Sequence, residues 1–185
     1  MKILSGSLKG HPFNQPKSSL VRPLSDKVRA AIFDVCGDIE NLVVLDVYAG
    51  SGAAGFEALS RGAAMVEAIE ASASVARVIE SNVKTLGFDW GYVLHVLKLE
   101  TWLGLPGNQS EADRPQARFD IIIVDPPYAK LDVDLLGRLA RFLSPKATMV
   151  VSHSSKLPSP VLELTELARH KVYGDTALSF YKLVT

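Results

Sequence analysis

Apolar positions recur along this chain with two alternating spacings. Short runs rich in Val, Ile and Leu alternate with longer stretches in which apolar residues return every three or four positions. The short runs predict strands buried on both faces, and the longer stretches predict helices that pack by one face. The predicted strands are "LVVLDV" (42–47), "MVEAIE" (65–70), "YVLHVL" (92–97), "DIIIV" (120–124) and "ATMVVSH" (147–153). Between them, Ser25 can cap a helix with Val28, Ile32 and Val35 at helical spacing, stopping at Gly37. "FEALSRG" reads as a helix closed by Gly62, and Ser72 caps a longer one carrying Val75, Ile79, Val83 and Leu86 and ending at Gly87. Leu99 to Leu105 and Asp132 to Phe142 predict two further helices. At the ends of the chain, "LELTELARHKVY" and "ALSFYKLV" flank a Gly174-Asp175 turn as a β-hairpin, and "KILSG" and "HPF" flank Gly10 as a smaller one.

Strands alternating with helices give a Rossmann-like α/β fold: a mainly parallel sheet of seven strands with an antiparallel hairpin at its end and helices on both faces. No internal repeat or interior linker divides the chain. The expectation is one domain over residues 1–185, with an N-terminal hairpin and arm (1–24) ahead of the main body (25–185). In such sheets ligands sit beyond the carboxyl ends of the strands, near the point where strand order reverses. Asp46, Glu70 and Asp125 each end a predicted strand, so they are expected around one crevice.

Composition removes several alternatives. No stretch approaches the ~20 apolar residues of a membrane span, and "MKILSGSLKG" lacks the apolar core of a signal peptide, so a cytoplasmic location is expected. The single Cys36 cannot form an internal disulfide and falls on the apolar side of its helix, which reads as a small core hydrophobe. His11, His95, His153 and His170 lie far apart with no metal-ligand spacing, so no metal is expected. The net charge is zero, yet residues 1–30 hold six bases (Lys2, Lys9, Lys17, Arg22, Lys27, Arg29) against one acid, Asp26. A basic arm on an acidic body suits a polyanion contact; a merely solvated face is the other reading.

The loop "AGSGAAG" after the first strand satisfies G-x-G-x-x-G with Gly50, Gly52 and Gly55, and Glu70 follows Gly50 by 20 residues. Pattern alone fits a nicotinamide dinucleotide. Asp46 argues against it, because a pyrophosphate is held by backbone N–H groups and a helix N-terminus, not beside a carboxylate. A cationic ligand suits that carboxylate, and S-adenosylmethionine has an ammonium, a sulfonium and a ribose. On this reading Ala49, Gly50, Ser51 and Gly52 let the backbone approach the methionine part, Asp46 faces the ammonium and Glu70 takes the ribose hydroxyls.

A second feature is "DIIIVDPPYAK", in which the most apolar strand runs into an acid, two prolines and a tyrosine. A stiff turn with a packed tyrosine is the structural reading. The chemical reading starts from the exocyclic amine of a nucleobase, a poor nucleophile because its lone pair is delocalised into the ring. The Asp125 carboxylate and the Pro126 carbonyl could hold both amine hydrogens and turn the lone pair toward a methyl donor. Pro126 and Pro127 fix those acceptors in place, and Tyr128 offers a face on which an unstacked base can lie, worth ~1–3 kcal/mol.

With "MKILSGSLKG", "RPLSDKVRAAIFD", "LDVYAGSGAAGFEALSRGA", "DPPY" and "VYGDTALSFYKL" in place, the chain resembles nearly end to end the bacterial 16S ribosomal RNA guanine-N2 methyltransferases. That resemblance implies a class I methyltransferase fold, S-adenosylmethionine as cofactor, and a guanine 2-amino group of small-subunit ribosomal RNA as target. It also implies an N-terminal arm that holds RNA, here through Arg22, Lys27 and Arg29, and Lys9 of the same basic arm is expected to join them. "DPPY" alone is shared with adenine-N6 DNA methyltransferases, so it specifies an amino group without naming the base. Three positions depart from the family pattern. Leu24 stands where threonine is usual, Lys98 where an acid meets the adenine amine (with Glu100 as a possible substitute), and Ser152 where glutamate is common. A neutral protein binds naked RNA weakly, which favours an assembling small subunit as substrate; a monomer with no membrane partner is expected. The alternatives are an adenine-N6 DNA enzyme and a non-enzymatic RNA-binding or assembly factor that keeps the fold.

Overall fold

The computed structural model of the protein describes residues 1–17, 24–106, 108, 118–127 and 131–184. Among them, the apolar runs form seven strands of one sheet: β1 (Val43–Val47), β2 (Met65–Ile69), β3 (Tyr92–His95), β4 (Phe119–Val124), β5 (Leu143–Ser154), β6 (Thr165–Tyr173) and β7 (Thr176–Leu183). Their order across the sheet is β3-β2-β1-β4-β5-β7-β6. The first five are parallel, and β7 and β6 complete the sheet antiparallel. Strand order reverses between β1 and β4, the place where the carboxyl ends open a crevice.

Alternation along the strands divides the core into two layers, as the pleat requires. Val44, Val66, Ile121 and Ile123 face one layer, which also holds residues of the helices α1 (Asp26–Cys36), α2 (Ala53–Ser60) and α3 (Ala73–Leu86). Leu45, Val47, Ile122 and Val124 face the other, together with α4 (Leu99–Leu103), α5 (Val133–Gly137) and a 3₁₀ turn over Arg138–Phe142. The predicted Asp132–Phe142 helix is thus a short α-helix continued by that tighter turn. The Asp132 side chain caps it by accepting the Leu135 N–H at 3.0 Å. Ser25 caps α1 by accepting the Val28 N–H at 3.3 Å. Ser72 stands at the N-cap of α3, but its hydroxyl makes no cap bond and lies 3.0 Å from that of Ser74.

The N-terminal hairpin is present as one antiparallel bridge, Lys2 to Pro12, supported by Ile3 N–H to His11 O (3.0 Å) and Phe13 N–H to Met1 O (3.0 Å). It is docked on the body. Ser60 at the end of α2 donates its hydroxyl to Ser5 O (2.6 Å) and accepts the Leu8 N–H (3.0 Å). Gly6 has φ +81°, and a Cβ there would overlap the Ser60 carbonyl.

Arg29 corrects the RNA-contact set. It is fully buried rather than displayed, donating to Lys2 O at 2.7 Å and to Asp26 at 3.0 Å, with its Nε 3.7 Å from buried Glu57. Glu57 also accepts the Leu4 N–H (2.8 Å) and pairs with Arg61 (2.9 Å). The reason is packing: Arg29 shares a helical face with Ile32 and Phe33, so its position in the apolar stripe of α1 aims it inward. Burial pulls the guanidinium pKa down while Glu57 and Asp26 oppose that pull. The charge therefore fastens the hairpin to α1 and α2. Cys36 is half-buried, and burial pushes its thiol up to about 11, as suits a packing residue.

Candidate active site

The ladders bring the predicted acids together. Val47 lies opposite Ile69 of β2 and Val124 of β4, so the residues that follow each strand emerge side by side at the carboxyl edge. Asp46 sits one residue before the end of β1 and is 2% exposed. Its Oδ2 accepts the Gly55 N–H at 3.1 Å from the first turn of α2. Glu70 accepts Gly50 N–H through Oε2 (2.9 Å) and Ser72 N–H through Oε1 (2.7 Å). A carboxylate has about four lone-pair positions, so two of them are not used by these bonds. Asp125 is partly exposed beyond β4, and its N–H donates to Val47 O at 3.3 Å, tying the "DPP" turn to β1.

The glycine loop between β1 and α2 is shaped by its backbone. Tyr48 has φ +61°, uncommon for a residue with a side chain, and Gly50 and Gly52 have φ +55° and +76°. Gly52 N–H donates to Ala49 O at 2.8 Å, and Ala49 N–H to Ile69 O at 3.0 Å. Ala49 and Ser51 are buried in the turn. Gly52 and Gly55 also have a role that the sequence pattern does not suggest. A Cβ on Gly55 would stand 2.7 Å from the Tyr92 ring, and one on Gly52 2.7 Å from that of Phe56. The glycines admit aromatic rings beneath the loop.

Burial dominates the electrostatics around Asp46. Burial raises the Asp46 carboxyl pKa to about 8, against the Gly55 hydrogen bond, and the negative charges of Asp125 and Glu70 add to the rise. Burial likewise raises the Tyr48 phenol, with Glu100 and Asp132 contributing. Those contributions bring Glu100, exposed in the first turn of α4, into the neighbourhood of the crevice. Lys98 is exposed at the N-cap of α4, Leu24 packs on the core and Ser152 is buried. Among the described residues no cluster of His, Cys, Asp and Glu could hold a metal ion.

The remaining site residues divide between the crevice and the rest of the surface. Pro126 is buried and Pro127 exposed beside Asp125, while Tyr128 lies outside the described residues, as does Arg22. Lys27 is exposed, with its ammonium 5.8 Å from the centroid of the Tyr173 ring, at the end of β6 that adjoins the Gly174 turn. Lys9 is exposed in the hairpin turn beside Ser60, the last residue of α2, and so at the pole opposite the crevice. Tyr48 and Tyr92 are the site residues that sequence reasoning missed. Tyr48 stood within the quoted glycine motif, whereas nothing local marked Tyr92.

Comparison with known proteins agrees with this geometry. The family model described as "Conserved hypothetical protein 95" matches residues 1–182. A "Putative rRNA methyltransferase YlbH" of Bacillus subtilis is 30% identical, covering 98% of each chain. The "Ribosomal RNA small subunit methyltransferase D" of Haemophilus influenzae is 29% identical over 98% of this chain and 93% of its own. A solved structure, "Putative methyltransferase yhhF from Escherichia coli", superposes with a TM-score of 0.82 at 27% identity, covering 99% of this chain and 97% of that one.

Proposed function

The chain belongs to the conserved hypothetical protein 95 family, whose relatives include small-subunit ribosomal RNA methyltransferases, and from that premise we propose that it methylates the 2-amino group of a guanine in 16S ribosomal RNA, with S-adenosylmethionine as donor. The observation that carries the reading is the convergence of Asp46, Glu70 and Asp125 at three adjacent strand ends around the glycine loop. A cofactor with two positive groups and a ribose diol fits that donor set. Asp46 is buried among negative neighbours and gains a cation, and Glu70 keeps lone pairs free for the diol. When bound, the cofactor supplies a methyl group on a sulfonium, so transfer disperses charge and asks the protein chiefly for alignment, worth ~7–11 kcal/mol where groups are well oriented.

Asp125 and the Pro126 carbonyl are the orienting acceptors. The two prolines and the Asp125 N–H bond to Val47 hold them before the base arrives. Tyr128 supplies the stacking face, and Lys27, together with Arg22, the phosphate contacts. The acceptor pair is indifferent to which amino-bearing base it holds, so guanine is proposed on the whole-chain resemblance, including "RPLSDKVR". An assembling small subunit in the cytoplasm is the proposed substrate, with the protein acting as a monomer.

The test is methylation of free 16S RNA and of small subunits with labelled cofactor, followed by nucleoside identification. N2-methylguanosine is the expected product, and N6-methyladenosine would overturn the base assignment while sparing the clamp. Asp125→Ala should nearly abolish transfer with cofactor affinity within a few-fold of the parent. Full activity in that variant would reduce the "DPP" turn to a structural element.

A further inference from the structure

Tyr92 opens β3, and its hydroxyl is buried with no hydrogen-bond partner among the described residues. Buried hydroxyls are normally paired, and phenylalanine would fill the same space without a polar atom to satisfy. The ring cannot swing away, since Phe56 packs against it at a centroid distance of 5.3 Å. Its hydroxyl oxygen lies beneath the glycine loop, 3.3 Å from where a Cβ on Gly52 would stand and 3.2 Å from one on Gly55. Gly55 is also the residue whose N–H binds Asp46, so the phenol and the carboxylate flank one backbone unit. The groups that face Asp46 are the Gly55 N–H from α2, Glu70 beyond β2, Asp125 beyond β4 and the Tyr92 phenol from β3. Among the described residues the charges that act on Asp46 are those two carboxylates. Accordingly, a second donor is what an ionised Asp46 lacks.

Building on the cofactor assignment above, we propose that Tyr92 is a positioning residue of the cofactor site: its hydroxyl is held in reserve to donate to Asp46 once a cationic ligand makes that side chain a carboxylate. In the free protein Asp46 keeps its proton and the hydroxyl has nothing to do. Binding of the cation sends that proton to solvent, and the phenol O–H then turns to the new charge, directly or through one water. The hydroxyl thereby favours the bound state without acting on the free one.

Tyr92→Phe keeps the ring and removes only the donor. Calorimetric affinity for S-adenosylmethionine would be measured for parent and variant from about pH 6 to about pH 9.5. The expected result is a loss of about tenfold near pH 6 to 7, where Asp46 is protonated in the free protein and ionised in the complex. The loss should fade toward the alkaline end, where Asp46 is a carboxylate in both states and the phenol serves each alike, with thermal stability at neutral pH equal or higher. Profiles that superimpose, or a loss that is the same at every pH, would overturn the role of the hydroxyl. A parent that binds no S-adenosylmethionine at any pH would instead overturn the cofactor assignment on which the proposal rests.

Discussion

Replacing Asp46 by asparagine removes one buried charge while keeping an oxygen for the Gly55 N–H. In the folded protein that carboxyl titrates at about 8 rather than 3.8, chiefly through burial. The folded state therefore holds a proton that the unfolded chain releases through most of this window. A raised carboxyl pKa gives stability that is complete below the unfolded value and is lost as pH rises toward the folded one. Each pH unit within the window costs about 1.4 kcal/mol, so two units cost on the order of 2–3 kcal/mol. Urea unfolding at about pH 5 and pH 7 should show the parent losing that much more stability than Asp46→Asn, about 5–10 °C if read as a melting shift. The variant should be the more stable protein at neutral pH and the poorer binder of S-adenosylmethionine. Parallel pH dependences in the two proteins would refute the reasoning and show that Asp46 is already charged in the fold.

Other consequences are open to measurement. Glu70→Ala should weaken S-adenosylmethionine by ~1–3 kcal/mol in a titration while the fold survives, since the acid lies at a strand end; unchanged affinity would remove it from the site. Gly55→Ala brings a methyl against the Tyr92 ring and should cost ~1–3 kcal/mol in unfolding experiments, with neutral stability showing that the ring can yield. Arg29→Ala leaves Glu57 buried without that cation and should cost ~3–5 kcal/mol, whereas an exposed RNA contact would cost little stability. Lys27→Glu should weaken the RNA substrate and reduce its salt dependence by a slope of about 1 or more while sparing cofactor binding; an unaltered slope would mark Lys27 as a solvated residue.

The apolar spacing made the elements legible because this sheet is buried on both faces. The stripe of Val75, Ile79 and Val83 is the buried face of α3, and Gly87 ends that helix in the left-handed region. Asp46, Glu70 and Asp125 could be placed together because a parallel sheet aligns its strand ends, whatever the detailed register. Arg29 was misread because charge was counted without direction, although its spacing of three and four from Ile32 and Phe33 pointed inward. Lys9 was counted among the RNA contacts because sequence shows that the arm is basic but not which end of α2 it docks on. Tyr92 could not be found in the same way. Its closeness to Gly52 and Gly55 depends on β3 pairing with β2, which sets Tyr92 opposite Val66, and no local pattern encodes that.

Glu57 ties the hairpin, α1 and α2 through Leu4, Arg29 and Arg61, with its carboxylate out of contact with water. That arrangement constrains how such a chain can diverge. Shedding the N-terminal segment would strip Glu57 of a donor and open the Arg29 pocket, so the truncation becomes tolerable only after the carboxylate has been replaced by something apolar. The reverse order passes through an intermediate with an unsatisfied buried charge, which selection removes. Residues 29 and 57 should therefore change together in descendants of this sequence, and the residue at 57 should reveal whether a given descendant still has its hairpin.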